Sequence, residues 1–161
     1  MEKILWRAML DSDFNSRYWR GMTEKYSKRD LTLKIFLALA ASGTVAGWSI
    51  WGDLPLAWKV LSGCSAIASI ASPFLAFSKK VDVAASHAGL WSDLRVRYSD
   101  LWDKFKTSGQ SPSIDREHDQ LKKVFRDLES KEPKLRIPQD KALAKRCQTE
   151  VLAAKHLTKR T

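Results

Sequence analysis

Between Leu31 and Ser78 the alternation of apolar and charged positions stops twice. The segments Ile35–Trp51 (IFLALAASGTVAGWSIW) and Val60–Phe77 (VLSGCSAIASIASPFLAF) contain no charged residue. Each is about the 17–25 residues that a helix needs to cross the hydrocarbon core of a bilayer. Neither has a polar face at helical spacing, which favours a membrane span over a surface helix. The link between them, GDLPLAWK, carries only Asp53 and Lys59. So short a link makes the two spans antiparallel, and the pattern predicts a membrane hairpin. The alternative is a pair of buried helices in a soluble α-domain. It needs more surrounding protein than a chain this short supplies.

The flanking segments read as amphipathic helices. Ile4, Leu5, Ala8 and Met9 form a short stripe. Asp11, Ser12 and Asp13 interrupt it and predict the cap of a second helix. Phe14, Tyr18, Met22 and Tyr26 then recur every four residues, and this helix is expected to enter the first span with a bend near Asp30. After Lys80 a soluble helix is predicted over about 81–107. Its heptad seam is Ala84, His87, Trp91, Leu94, Tyr98, Leu101 and Phe105. Beyond Pro73 nothing separates this helix from the second span, so the two read as one rod. Residues 107–113 are a turn, with Ser111 and Pro112 as cap and first helical position. A helix over about 112–131 carries Ile114, His118, Leu121, Phe125 and Leu128 on one face. Pro133 and Pro138 bracket an extended connector. A last helix from near Gln139 carries Leu143, Cys147, Val151 and Ala154. The organisation is therefore all-α: a basic juxtamembrane helix (1–30), a two-span transmembrane hairpin (31–78) and a cytoplasmic helical bundle (79–161).

Charge adds an orientation. The formal net charge is +10 over 161 residues. Arg17, Arg20, Lys25, Lys28, Arg29 and Lys34 precede the first span, and Lys79 and Lys80 follow the second. The positive-inside rule then sets both termini in the cytoplasm. Trp48, Trp51 and Trp58 cluster at the outer link, where indole rings prefer the interface. The N-terminus is too polar for a secretory signal, so the hairpin itself reads as the insertion signal. Cys64 and Cys147 have no pairing or metal spacing, which suits a reducing compartment.

Candidate chemistry is non-catalytic. His87, His118 and His156 are far apart, with no ligand at metal spacing. Neither a glycine-rich phosphate loop nor a nucleophile elbow is present. The chain reads as a non-enzyme with no cofactor. Ser62, Ser65, Ser69 and Ser72 share one helical stripe. They either line a polar passage when several hairpins assemble or serve tight helix packing. Gly43 and Gly47 form a small-xxx-small pair that lets helices approach. Arg17, Arg20, Lys134, Arg136, Lys141, Lys145 and Arg146 are candidate contacts for an anionic nucleotide or oligonucleotide. The same charges also fit anionic lipid headgroups.

Three stretches together carry a family resemblance: the aromatic and basic SRYWRGMTEKYSKRD, the heptad helix AASHAGLWSDLRVRYSDLWDKF, and the proline-bounded KEPKLRIPQDKALAKRC, with the two-span hairpin between the first two. This organisation resembles the SLATT family of bacterial two-span effectors over nearly the whole chain. The resemblance implies a pore-forming effector of bacterial anti-phage systems of the CBASS or Hailong type. It also implies a nucleotidyltransferase or sensor partner. The chain carries no fused sensor, so the signal must be read by its own helices or by a separate protein.

The expectation is a homo-oligomeric, ligand-gated pore in the bacterial inner membrane. Four copies would set eight helices around an axis. Two rivals are a non-conducting membrane anchor that recruits a cytoplasmic partner, and a soluble helical nucleic-acid-binding domain.

Overall fold

A computed structural model describes residues 1–50, 55–132 and 137–154, without the side chains of 40–50, 55–59, 61 and 62. Every regular element among the described residues is helical: α1 (Glu2–Ile50), α2 (Pro55–Leu75), α3 (Phe77–Ser108), α4 (Pro112–Ser130) and α5 (Lys141–Ala154). The described residues of the two charge-free segments fall on α1 and α2, except that Ala76 follows α2 and Phe77 opens α3. Among the described residues, no helix is long and apolar enough to cross a membrane.

The chain divides into two units, residues 1–23 with 82–161, and residues 24–81. The first is a helical bundle. Its core on α3 is Ala84, His87, Trp91, Leu94, Tyr98 and Leu101, the seam expected from the heptad spacing. Ile114, His118, Leu121 and Leu128 are buried on α4, and Leu143, Cys147 and Val151 on α5. Phe105 and Phe125 are half-buried and Ala154 is exposed, so the expected stripes narrow at those positions.

Local chemistry fixes the element ends. Ser111, with φ −143° and ψ 156°, caps α4 by accepting from the Ile114 N–H, and Pro112 follows it. Gly109, at φ +72°, closes α3 in the left-handed conformation that glycine takes without strain, its N–H bonded to Phe105 C=O at 2.9 Å. The Asp140 carboxylate accepts from the Leu143 N–H at 3.0 Å, so α5 begins slightly later than expected. The Asp140 N–H donates to the Tyr18 hydroxyl at 3.0 Å, which pins the start of α5 to α1.

Two expectations about the first helix are corrected. No second helix starts at Asp11–Asp13, because α1 runs unbroken through these residues. Ser12 is fully buried and donates to the Ala8 carbonyl at 2.8 Å, so its hydroxyl is satisfied within the helix and caps nothing. Within the first unit the buried positions of α1 are Leu5, Met9, Ser12, Asp13, Ser16, Tyr18, Trp19 and Met22. Most of them follow a three-and-four rhythm, and Phe14 is only half-buried. Gly21 lies against α5: a Cβ there would lie 2.8 Å from Leu143 Cδ1.

The expected rod of second span and soluble helix is also corrected. It breaks at Ala76, which has φ +45°. Pro73, three residues earlier, offers no N–H to the Ser69 carbonyl and so weakens the last turn of α2. The Ala76 N–H still reaches Ser72 C=O at 3.2 Å, and Lys80 N–H reaches Ala76 C=O at 3.1 Å, so backbone bonding continues across the break.

Within the second unit, Ser78 Oγ donates to Asp30 at 2.8 Å, and the Tyr26 and Phe77 rings lie 6.3 Å apart. The Lys80 ammonium sits 5.7 Å and 5.6 Å from those two rings. These contacts hold α1 against the first turn of α3.

Candidate functional site

The serine stripe is built on α2, whose backbone carries Ser62, Ser65, Ser69 and Ser72 along one side. The side chain of Ser62 lies outside those described. Ser65 and Ser72 are half-buried and Ser69 is exposed. At about 100° per residue, Ile67, Ile70 and Phe74 project from the opposite side. They are 69%, 71% and 85% exposed. The described side chains of α2 therefore form a hydroxyl face and, back to back with it, a bare apolar face. On α1 Leu31, Ile35 and Leu39 are also exposed at four-residue spacing. Gly43 and Gly47 lie one turn apart on α1, and their surroundings are outside the description.

The expected anion-binding residues separate into groups. Lys134 and Arg136 lie outside the described residues. Arg20 is exposed on α1. Arg17 is engaged: its guanidinium contacts Asp13 at 3.1 and 3.4 Å and Glu150 at 3.9 Å. Arg146 meets the same Glu150 at 3.4 Å, and Arg95 of α3 reaches Asp13 at 3.8 Å. This chain of alternating charges ties α1, α3 and α5 together. Lys141 and Lys145 come together on a cavity of about 570 Å³, with Asp11 and Phe14 across from them.

The chain matches no family model, no curated protein and no solved structure.

A second cavity, of about 440 Å³, opens between α1, α3 and α4. Lys3 and Arg7 stand on one side of it and Lys122 and Arg126 on the other, over Tyr98, His118 and Phe125. Burial pushes the Tyr98 phenol up to about 12 and holds His118 below the ordinary histidine value. Asp11, also on this cavity, is raised by desolvation against the opposing pull of Arg7. The basic residues of this group were not singled out from the sequence. The available signal was two cation pairs at i, i+4, each beside a core seam. Only the antiparallel packing of α4 brings the pairs to one opening. Among the described residues, no cluster of histidine, cysteine and carboxylate side chains could hold a metal ion.

Proposed function

We propose that the chain is a two-span membrane effector whose copies assemble into a gated, ion-permeable pore. In this reading the hairpin sits in the bacterial inner membrane with both termini cytoplasmic. A nucleotide or oligonucleotide signal, made or sensed by a partner, shifts the bundle between two packings in an anti-phage response. A ligand moves such a balance only by its difference in affinity for the two states.

The observation that carries the reading is the two-faced α2. Leaving Ile67, Ile70 and Phe74 in water forgoes about 1.5–3 kcal/mol for each side chain relative to burial. Lipid recovers that cost on one face, while the serines face an axis where copies meet. The apolar segments also include residues 40–51 and 60–62, most of whose side chains lie outside the description, and their sequence supports the span. One hairpin cannot enclose a water path, so conduction requires several copies, and four is the working number. The SLATT resemblance supports the same role.

The half-burial of Ser65 and Ser72 within a single chain favours a second reading. Here the stripe packs helices, and the protein is a non-conducting anchor that recruits a cytoplasmic partner. Liposome flux separates the two. The parent chain should pass ions, and Ser65→Leu with Ser69→Leu should abolish flux while the oligomer, checked by cross-linking, persists. An assembled parent chain that carries no flux overturns the pore. Release of the chain from membranes by an alkaline wash overturns both readings.

A further inference from the structure

We infer that the cavity between α1, α3 and α4 binds a small aromatic phosphate of the nucleoside monophosphate or diphosphate class. This gives the proposed pore's ligand a place and a class, and in that sense rests on that reading, but the site is argued from its own geometry. Its volume, about 440 Å³, falls within the range of small-molecule sites, about 300–1,000 Å³. Lys3 and Arg7 are one helical turn apart on α1, and Lys122 and Arg126 one turn apart on α4, so each pair projects from a single face. None of the four forms a salt bridge among the described residues. Arg17 and Arg146 differ, both being committed to Glu150. Four cations without a salt bridge, set against the two carboxylates of Asp11 and Glu129, leave the opening net positive and favour an anion.

The rest of the lining narrows the class. Phe125, half-buried, gives the cavity an aromatic wall against which a flat ring gains stacking and burial, and the buried Tyr98 and His118 lie beneath it. Asp11 and Glu129 share the same opening. Two carboxylates repel a bare polyanion, yet they accept hydrogen bonds from hydroxyl and amino groups. A nucleoside phosphate supplies all three complements: phosphate for the cations, a base for the aromatic wall, and sugar hydroxyl or base amino donors for the carboxylates. A lipid headgroup leaves the aromatic wall unused.

The test is equilibrium binding by the purified full-length chain. The probes are adenosine monophosphate and diphosphate, then adenosine, ribose 5-phosphate and inorganic phosphate. Saturable binding of a nucleotide is expected, with each fragment binding far more weakly. Arg7→Ser with Lys122→Ser should weaken nucleotide binding about tenfold or more, since each removes a charged hydrogen-bond donor. Lys141→Ser with Lys145→Ser, on the neighbouring cavity, should leave it unchanged, and circular dichroism should show intact helix in both variants. Absence of saturable nucleotide binding overturns the inference. So does inorganic phosphate binding as tightly as the nucleotide, or equal weakening by both double variants. Attachment to phosphatidylglycerol vesicles that depends on Arg7 and Lys122, without nucleotide binding, assigns the cavity to lipid and overturns it too. Nucleotide binding without ion flux keeps the site and removes the pore; flux without nucleotide binding does the reverse.

Discussion

Trp91 is fully buried on α3, and its ring stands edge-on to Phe125 of α4 at 5.1 Å and 81°. Truncation to alanine leaves a cavity that a packed bundle cannot close, which costs about 3–5 kcal/mol in comparable cores. The edge-to-face pair accounts for about 0.5–1.5 kcal/mol of interaction beyond burial alone. The indole N–H is buried and makes no hydrogen bond among the described residues. Leaving such a donor unpaired costs about 1–3 kcal/mol. Trp91→Phe removes that donor and keeps much of the ring, so loss of volume and relief of the orphan N–H oppose each other. Trp91→Phe should therefore lie within about 1 kcal/mol of the parent, while Trp91→Ala loses at least 3 kcal/mol. Denaturant unfolding of the full-length chain, followed by far-UV circular dichroism under identical conditions, measures both. If Trp91→Ala costs under about 1 kcal/mol, the seam is not the bundle's core. If Trp91→Phe is as damaging as Trp91→Ala, the N–H has a partner and the argument from the unpaired donor fails.

Other perturbations test the bundle's polar groups. Asp13 is nearly buried between Arg17 and Arg95, and Asp13→Ala should lower stability by about 1–3 kcal/mol, read as a fall in denaturation midpoint at constant m-value. Asp13→Asn, which keeps one acceptor, should lose less. His87 stacks on Trp19 at 5.0 Å, and desolvation holds its imidazole below the ordinary value, with Glu132 opposing. A depressed folded-state value means that the unfolded chain takes up the proton first as pH falls. The contribution is complete above the ordinary histidine value of 6.5 and is lost as pH drops towards the folded one. Comparing midpoints near pH 7.5 and near pH 5.5, His87→Phe should shrink the acid loss; an unchanged loss refutes the assignment.

The seam of α3 was legible because its apolar residues are large and evenly spaced, and burial follows that spacing directly. The cap at Ser111 was legible because serine before proline leaves the chain few local alternatives. The first helix was harder. Its buried seam passes through Ser12, Asp13 and Ser16, which a hydrophobic pattern reads as a break. These residues are tolerated inside because the Ser12 hydroxyl bonds the Ala8 carbonyl and Asp13 meets Arg17 and Arg95. One of those partners stands on another helix, beyond the reach of local pattern. The serine stripe was visible as spacing, but the bare apolar face behind it was a matter of exposure.

By itself, the sequence determined the helical class, the cap of α4 at Ser111, and which side of α3 and α4 turns inward. These follow from short-range periodicity and capping chemistry, which act within a few residues. Tertiary packing decided that α1 continues past Asp11–Asp13, that Arg17 and Arg146 share one carboxylate, and that Lys3, Arg7, Lys122 and Arg126 gather at one cavity. Lys3 and Lys122 are distant along the chain. Only the docking of α1 beside α4 makes their charges neighbours, because a helix fixes the direction of its own side chains but not what they will face.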